Sequence, residues 1–210
     1  MRFPNADITT FDLLRHGEPV GGRMLRGRTD HPLSERGWQQ VTEAVMRQAN
    51  AEGELPYDAI VTSPLSRCCE FALWLGEEFD LPVLIDDDLA ELHLGRWEGK
   101  THAEVFAEEG EGPMTAFWNS PEAVAPPEGE RLVDFDARLH EAWRRLVDTP
   151  PGRHVLVVAH LFVCNGLLRQ VIQQPLARTL VMDLPYAAIS RARVERHALG
   201  ETAFVEWIGR

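Results

Sequence analysis

Along the chain, apolar positions switch between a two-residue rhythm and a rhythm of three and four. ITTFDLL (Ile8–Leu14) reads as a short strand that runs directly into Arg15-His16-Gly17-Glu18. After a loop, Ser34 has the chemistry of a helix N-cap. Trp38, Val41 and Val45 follow at helical spacing, which predicts a helix stopped by Gly53. YDAIVT (Tyr57–Thr62) predicts a second strand. Ser63-Pro64 then opens a helix with proline at its first position and an apolar face of Leu65, Cys68, Phe71, Ala72 and Leu75. Pro82–Ile85 predicts a short third strand. Thr101 and Glu104 form a capping-box pattern for a short helix. A longer helix starts at Leu132 and shows Phe135, Leu139, Trp143 and Leu146 on one face. VLVVA (Val155–Ala159) is unbroken apolar, the pattern of a central parallel strand covered on both faces. A helix follows to about Gln173, and Ser190–His197 and Ala203–Ile208 predict two strands around a turn at Gly200.

Strand and helix alternate, and extra strands end the chain. The expectation is an α/β fold: a doubly wound, mostly parallel sheet with helices on both faces. The 210 residues suit a single domain, 1–210, with a small cap-like insertion at about 98–131.

Composition sharpens this picture. The net charge is −12, from 33 acidic and 21 basic residues, which argues against nucleic acid or an anionic membrane as partner. The acidity is uneven: Glu98 to Glu141 holds 11 acidic and three basic residues, while the first 36 residues hold five acidic and six basic. The pattern suits a small cationic pocket on an acidic body. MRFPNADITTFDLL lacks the apolar core of a signal peptide, and no apolar run approaches the roughly 20 residues of a membrane span. Cys68, Cys69 and Cys164 are odd in number and two are neighbours, which predicts reduced thiols and a cytoplasmic protein. The sequence carries no signature of oligomeric state.

In open α/β sheets a ligand sits beyond the carboxyl ends of the strands. Those ends carry Arg15-His16, then Arg67, then Glu91 after Asp86–Asp88, and finally His160. The set fits phosphoryl transfer. A neutral imidazole is a nucleophile that can form a phosphohistidine. Arginine offers a flat fork of donors for phosphate oxygens. A second imidazole can hydrogen-bond those oxygens, and as imidazolium it adds charge. A carboxyl group can protonate the leaving oxygen and later activate water. Such chemistry requires no metal or organic cofactor. None of the other histidines has metal-ligand spacing. Trp97 and Trp118 are candidates to line the site mouth, and Trp38 and Trp143 read as core.

Four blocks give this constellation a resemblance. Arg15-His16-Gly17 resembles the RHG signature of the histidine phosphatase superfamily, which includes the phosphoglycerate mutases. Ser63-Pro64-Leu65-Ser66-Arg67 is similar to its SPLxR block, Glu91 to Gly99 to its ExxxGxWEG block, and Val157 to His160 to the strand that delivers a second histidine. The resemblance implies a phosphoglycerate mutase-like fold and these roles: His16 the phosphorylated nucleophile; Arg15, Arg67 and His160 the phosphoryl holders; Glu91 the proton donor and acceptor. Arg26-Gly27-Arg28-Thr29-Asp30, Phe117-Trp118 and Pro126 to Glu130 look most like the α-ribazole phosphatase branch. Arg26, Arg28 and Leu161 are the candidate substrate contacts, although Arg23, Arg26 and Arg28 equally suit ion pairs with Asp30 or Glu35. The chain departs from the family pattern at Leu161-Phe162, where glycines usually follow the second histidine. It departs again at Asn165 for arginine, Glu128 for glycine and Phe71 for threonine.

The resulting expectation is a phosphomonoesterase acting on a small phosphorylated metabolite, with α-ribazole 5′-phosphate a candidate. One alternative is a phosphoglycerate mutase, which needs extra cap cations, whereas the cap's only basic residues are Lys100, Arg131 and Arg138. The other is a catalytically weak phospho-ligand-binding member, motivated by Leu161-Phe162. For the hydrolase, neutral His16 and protonated Glu91 predict a bell-shaped pH profile on the acidic to neutral side.

Overall fold

Strand β1 (Asp7–Arg15) lies inside a six-stranded sheet of order β3-β2-β4-β1-β5-β6. The computed structural model describes residues 5–148 and 152–210, so residues 1–4 of the amino-terminal stretch lie outside it. β2 (Ala59–Thr62), β3 (Val83–Ile85), β4 (His154–Ala159) and β1 are parallel. β5 (Ile189–His197) and β6 (Gly200–Trp207) add an antiparallel edge.

The two-residue period of each strand sorts its side chains into two cores. Phe11, Leu13, Val155 and Val157 share one core with Phe135 and Leu139 of α5 (Leu132–Val147) and Leu167 of α6 (Leu161–Val171). Leu14, Leu156 and Val158 share the other with Val41 and Val45 of α1 (Glu35–Met46) and Phe71 and Leu75 of α2 (Ser66–Glu78). β4 is buried on both faces, which is why VLVVA contains no polar residue. The acidic segment supplies α3 (His102–Glu109) and α4 (Glu111–Asn119), and their Val105, Met114 and Phe117 join the first core. No helix among the described residues is long and apolar enough to cross a membrane.

Several boundaries move for identifiable reasons. The Thr101–Glu104 capping box forms with both of its bonds, and Ser34 caps α1 by accepting from the Gly37 amide. α1 ends at Met46, well before Gly53: Gln48 and Ala49 close tight turns onto Val45 O and Met46 O, and the Asn50 side chain then accepts from the Glu52 and Glu54 amides in a separate turn. α2 starts at Ser66, so Pro64 is not its first residue. The Asp30 carboxylate accepts from both the Ser66 amide and the Ser66 hydroxyl at 2.8 Å, and so caps α2 from another loop.

One buried charge cluster stabilises the sheet away from the strand ends. Asp12 is fully buried and receives Arg191 Nε at 2.6 Å, Arg191 Nη2 at 2.8 Å and the Tyr57 hydroxyl at 3.1 Å. Burial alone pushes the Asp12 carboxyl up, but the bonds from Arg191 and the adjacent His154 outweigh it and hold the pKa below the usual value. A lowered carboxyl pKa contributes stability above the unfolded-state value, and that contribution is lost as pH falls through the folded-state value. Asp12→Asn should therefore cost about 2–3 kcal/mol at neutral pH, because it leaves Arg191 without its counter-charge. The deficit should shrink in acid. Urea midpoints at neutral and acidic pH check both statements.

Candidate active site

β1 delivers His16 at the carboxyl edge of the sheet, where its amide continues the ladder to Ala159 O at 2.9 Å. The next residue has to be glycine. A Cβ on Gly17 would stand 2.2 Å from Gly37 O, and one on Gly37 would stand 2.1 Å from Glu18 O. The close approach seats the capped end of α1 against the His16 loop, and the Ser34 amide and hydroxyl both donate to Glu18 O.

The His16 ring is buried, and its Nδ1 lies 2.7 Å from Gly17 O. A carbonyl can only accept, so Nδ1 carries the proton and Nε2 keeps its lone pair. Burial first, then Arg67, Arg15 and Arg26, push this imidazole well below its ordinary pKa, and it stays neutral.

Arg67, near the start of α2, is almost fully buried. It donates from Nε to His160 Nδ1 at 3.2 Å, from Nη1 to Thr29 O at 3.0 Å and from Nη2 to Gly27 O at 2.7 Å. Two of its five N–H groups remain for an anion. The loop that holds it is itself fastened by Glu98, which accepts from the Arg28 amide and the Thr29 hydroxyl.

His160 lies with its ring centroid 5.2 Å from that of His16. Because Nδ1 accepts from Arg67, Nε2 carries the proton and donates to Ser63 Oγ at 2.7 Å. Burial first, then Arg67, push this imidazole well below its ordinary pKa. His160 is fully buried, with Arg67 on one ring nitrogen and Ser63 on the other.

A cavity of about 280 Å³ brings together Arg15, His16, Arg26, Arg67, Glu91 and Leu161. Arg15 donates to Leu184 O, and Arg26 donates to Val20 O and Gly22 O. The Nε atoms of Arg15 and Arg26 are buried and have no protein acceptor. Two unpartnered guanidinium donors beside a neutral imidazole suit an anionic ligand. Glu91 accepts from the Leu92 amide at 3.0 Å and the Phe162 amide at 3.3 Å, yet burial outweighs these bonds and raises its pKa. Leu161-Phe162 thus opens α6 with a cavity wall at Leu161 and an amide committed to Glu91 at Phe162.

Arg28 does not border this cavity. It reaches Glu91 O at 3.4 Å and Glu130 at 3.5 Å and pairs with neither Asp30 nor Glu35. Trp118 borders the cavity, whereas Trp97 is buried in the core with its Nε1 donating to Glu109. Trp38 and Trp143 pack against the two cores. Glu128 adopts φ 60°, the left-handed backbone that explains a glycine preference there. Asn165 spends its amide on Met182 O, and Phe71 packs in the second core. Sequence reasoning missed the wall contributed by 180–186, above all Asp183 and Tyr186.

The sequence profile of the histidine phosphatase superfamily (branch 1) matches residues 11–206. A glucosyl-3-phosphoglycerate phosphatase of Mycobacterium tuberculosis is 36% identical over 176 residues, covering 79% of this chain and 76% of the relative. The bifunctional protein Rv2228c of the same organism is 34% identical over 182 residues, covering 86% of this chain. The chain spans about half of that relative's length, 49%. Among solved structures, Bacillus stearothermophilus YhfR superposes with a TM-score of 0.82 at 32% identity, covering 96% of each chain. The alpha-ribazole phosphatase from Shigella flexneri superposes at 0.79 with 23% identity and 96% coverage of each chain, a likeness of fold.

Proposed function

Since the chain belongs to the histidine phosphatase superfamily, we propose that it hydrolyses small phosphate monoesters through a phosphohistidine on His16. We further propose that the alcohol part of its substrate is apolar and carries no second anionic group. The observation that supports hydrolysis is a neutral imidazole with a free Nε2, sharing one cavity with three arginines and a carboxyl group of raised pKa.

In the first step Nε2 of His16 forms a bond to phosphorus while the ester P–O bond breaks, and the Glu91 carboxyl gives its proton to the departing oxygen. Arg15, Arg26 and the two spare N–H groups of Arg67 hold the charge on the phosphoryl oxygens. In the second step the Glu91 carboxylate takes a proton from water as the water oxygen attacks phosphorus. The P–N bond breaks, inorganic phosphate leaves and His16 returns to its neutral form. Arg138 holds the strand of chain that carries Glu91, donating to Ala90 O at 2.7 Å, Glu91 O at 3.1 Å and both oxygens of Glu130.

The remaining wall favours an apolar alcohol: Met24, Leu25, Leu94, Trp118, Leu161 and Phe162 line it, and Asp183 would repel a second anion. A mutase would need further cations there. Of the cap's basic residues, Lys100 pairs with Glu108 and Arg138 with Glu130, and none of the three borders the cavity. α-Ribazole 5′-phosphate is an alkyl ester of ribose with one phosphate, and its aromatic base is the apolar part that such a wall would meet. The test is a panel of p-nitrophenyl phosphate, 1-naphthyl phosphate, α-ribazole 5′-phosphate and 3-phosphoglycerate, assayed for phosphate release. The three esters that carry an aromatic group should exceed 3-phosphoglycerate in kcat/KM about tenfold or more. A preference for 3-phosphoglycerate would overturn the assignment of the alcohol. Phosphoryl transfer between phosphoglycerates would favour a mutase, and no turnover of any ester would leave a binding protein.

A further inference from the structure

Tyr186 belongs to an irregular segment that no motif marks, yet it lies against both Arg15 and His16. Its ring lies under the Arg15 guanidinium, with Cζ 4.3 Å from the ring centroid. The same ring stands 5.7 Å from the His16 ring, tilted by 40°. The side chain borders the cavity that also holds Arg26, Arg67 and Glu91.

The backbone around Tyr186 is built to hold it there. The Ala187 amide donates to His16 O at 3.2 Å, and the Arg15 amide donates to Ala188 O at 2.9 Å. Arg15 Nη1 donates to Leu184 O. Ala187 takes φ 57°, a left-handed conformation that a non-glycine residue adopts at a cost. The segment from 184 to 188 is thus fastened to Arg15-His16 on both sides of the tyrosine.

We propose that Tyr186 is a positioning residue of the phosphoryl site: its ring sets the plane of the Arg15 guanidinium that lies over it. The Nε–H of Arg15, which lies against this ring, is buried and lacks a protein acceptor. An arginine with several rotatable bonds and few fixed partners loses entropy when it grips an anion. A flat ring on one face removes part of that cost in advance. This inference rests on the phosphatase reading of the same cavity.

The test uses Tyr186→Leu and Tyr186→Phe, with orthophosphate affinity measured by calorimetry and steady-state kinetics on p-nitrophenyl phosphate. Tyr186→Leu should weaken orthophosphate binding and raise KM about tenfold each, with a smaller fall in kcat. Tyr186→Phe keeps the ring and should recover phosphate affinity to within about threefold of the parent. A merely structural role would lower the melting temperature of the Leu variant and leave phosphate affinity unchanged, and that result overturns the proposal. If Tyr186→Leu does not fold, Tyr186→Met reads the same quantity with an unbranched chain in the same space. A parent protein that neither binds orthophosphate nor hydrolyses the ester overturns the phosphatase reading, and this inference with it. A parent that does both beside unaffected variants overturns this inference alone.

Discussion

Replacing His16 by alanine should lower kcat on p-nitrophenyl phosphate by at least about a thousandfold. The nucleophile forms the only covalent bond between protein and substrate, so no neighbouring group substitutes for it at comparable rate. Glu91 is held by two backbone amides, and His160 is locked between Arg67 and Ser63. The fold should survive, because the imidazole gives up one hydrogen bond, to Gly17 O, worth about 1 kcal/mol. A second readout separates chemistry from binding. Parent protein quenched in base during turnover of a labelled ester should carry an acid-labile, base-stable label, and His16→Ala should carry none while still binding orthophosphate. A variant that retains a tenth of parental activity, or that still becomes labelled, refutes the nucleophile.

The same ring revises the pH expectation drawn from sequence. An ordinary histidine would lose its lone pair to protonation near its reference value of about 6.5. Burial and three arginines displace His16 well below that, so the nucleophile remains competent further into acid. Neither influence is visible in a string of residues. The RHG block shows that an imidazole and a guanidinium are adjacent in sequence. Only the fold shows Arg67 and Arg26, which lie 51 and ten residues away, converging on the same ring.

What was legible had local causes. VLVVA announced a strand covered on both faces because each face of β4 meets a separate core. Residues at the ends of β1 and β4 were legible because strand ends in a parallel sheet share one edge. The misplaced features depend on partners remote in sequence. α2 begins late because Asp30 caps Ser66 across 36 residues. Arg28 leaves the cavity because Glu130, 102 residues away, lies within its reach. Trp97 and Trp118 look alike in sequence, but Glu109 accepts from Trp97 Nε1 inside the core while Trp118 stays at the cavity. Tyr186 was invisible because its segment has no period, and its position is set by bonds from Arg15 and Ala187.

Glu91→Gln should lower kcat/KM, which reports formation of the phosphohistidine, by about 100- to 1000-fold on esters of poorly acidic alcohols, and by much less on p-nitrophenyl phosphate. Nitrophenolate departs without help, whereas an alkoxide needs the proton that Glu91 supplies, so the ratio between the two substrates isolates proton donation. The pH dependence carries the same information with opposite sign to that of a base. Burial raises the Glu91 pKa, so the carboxyl stays protonated to higher pH than an exposed glutamate, and activity on alkyl esters falls as pH rises through that value. Glutamine cannot titrate, so the variant's weak activity should lack this alkaline limb while keeping the acid limb set by His16. Measuring kcat/KM from acid to alkaline pH on one alkyl and one nitrophenyl ester checks both. An alkaline limb that persists in Glu91→Gln assigns the titration elsewhere. An equal loss on both substrates assigns Glu91 to holding the Phe162 amide and the wall beside it, because a lost support would slow every ester alike.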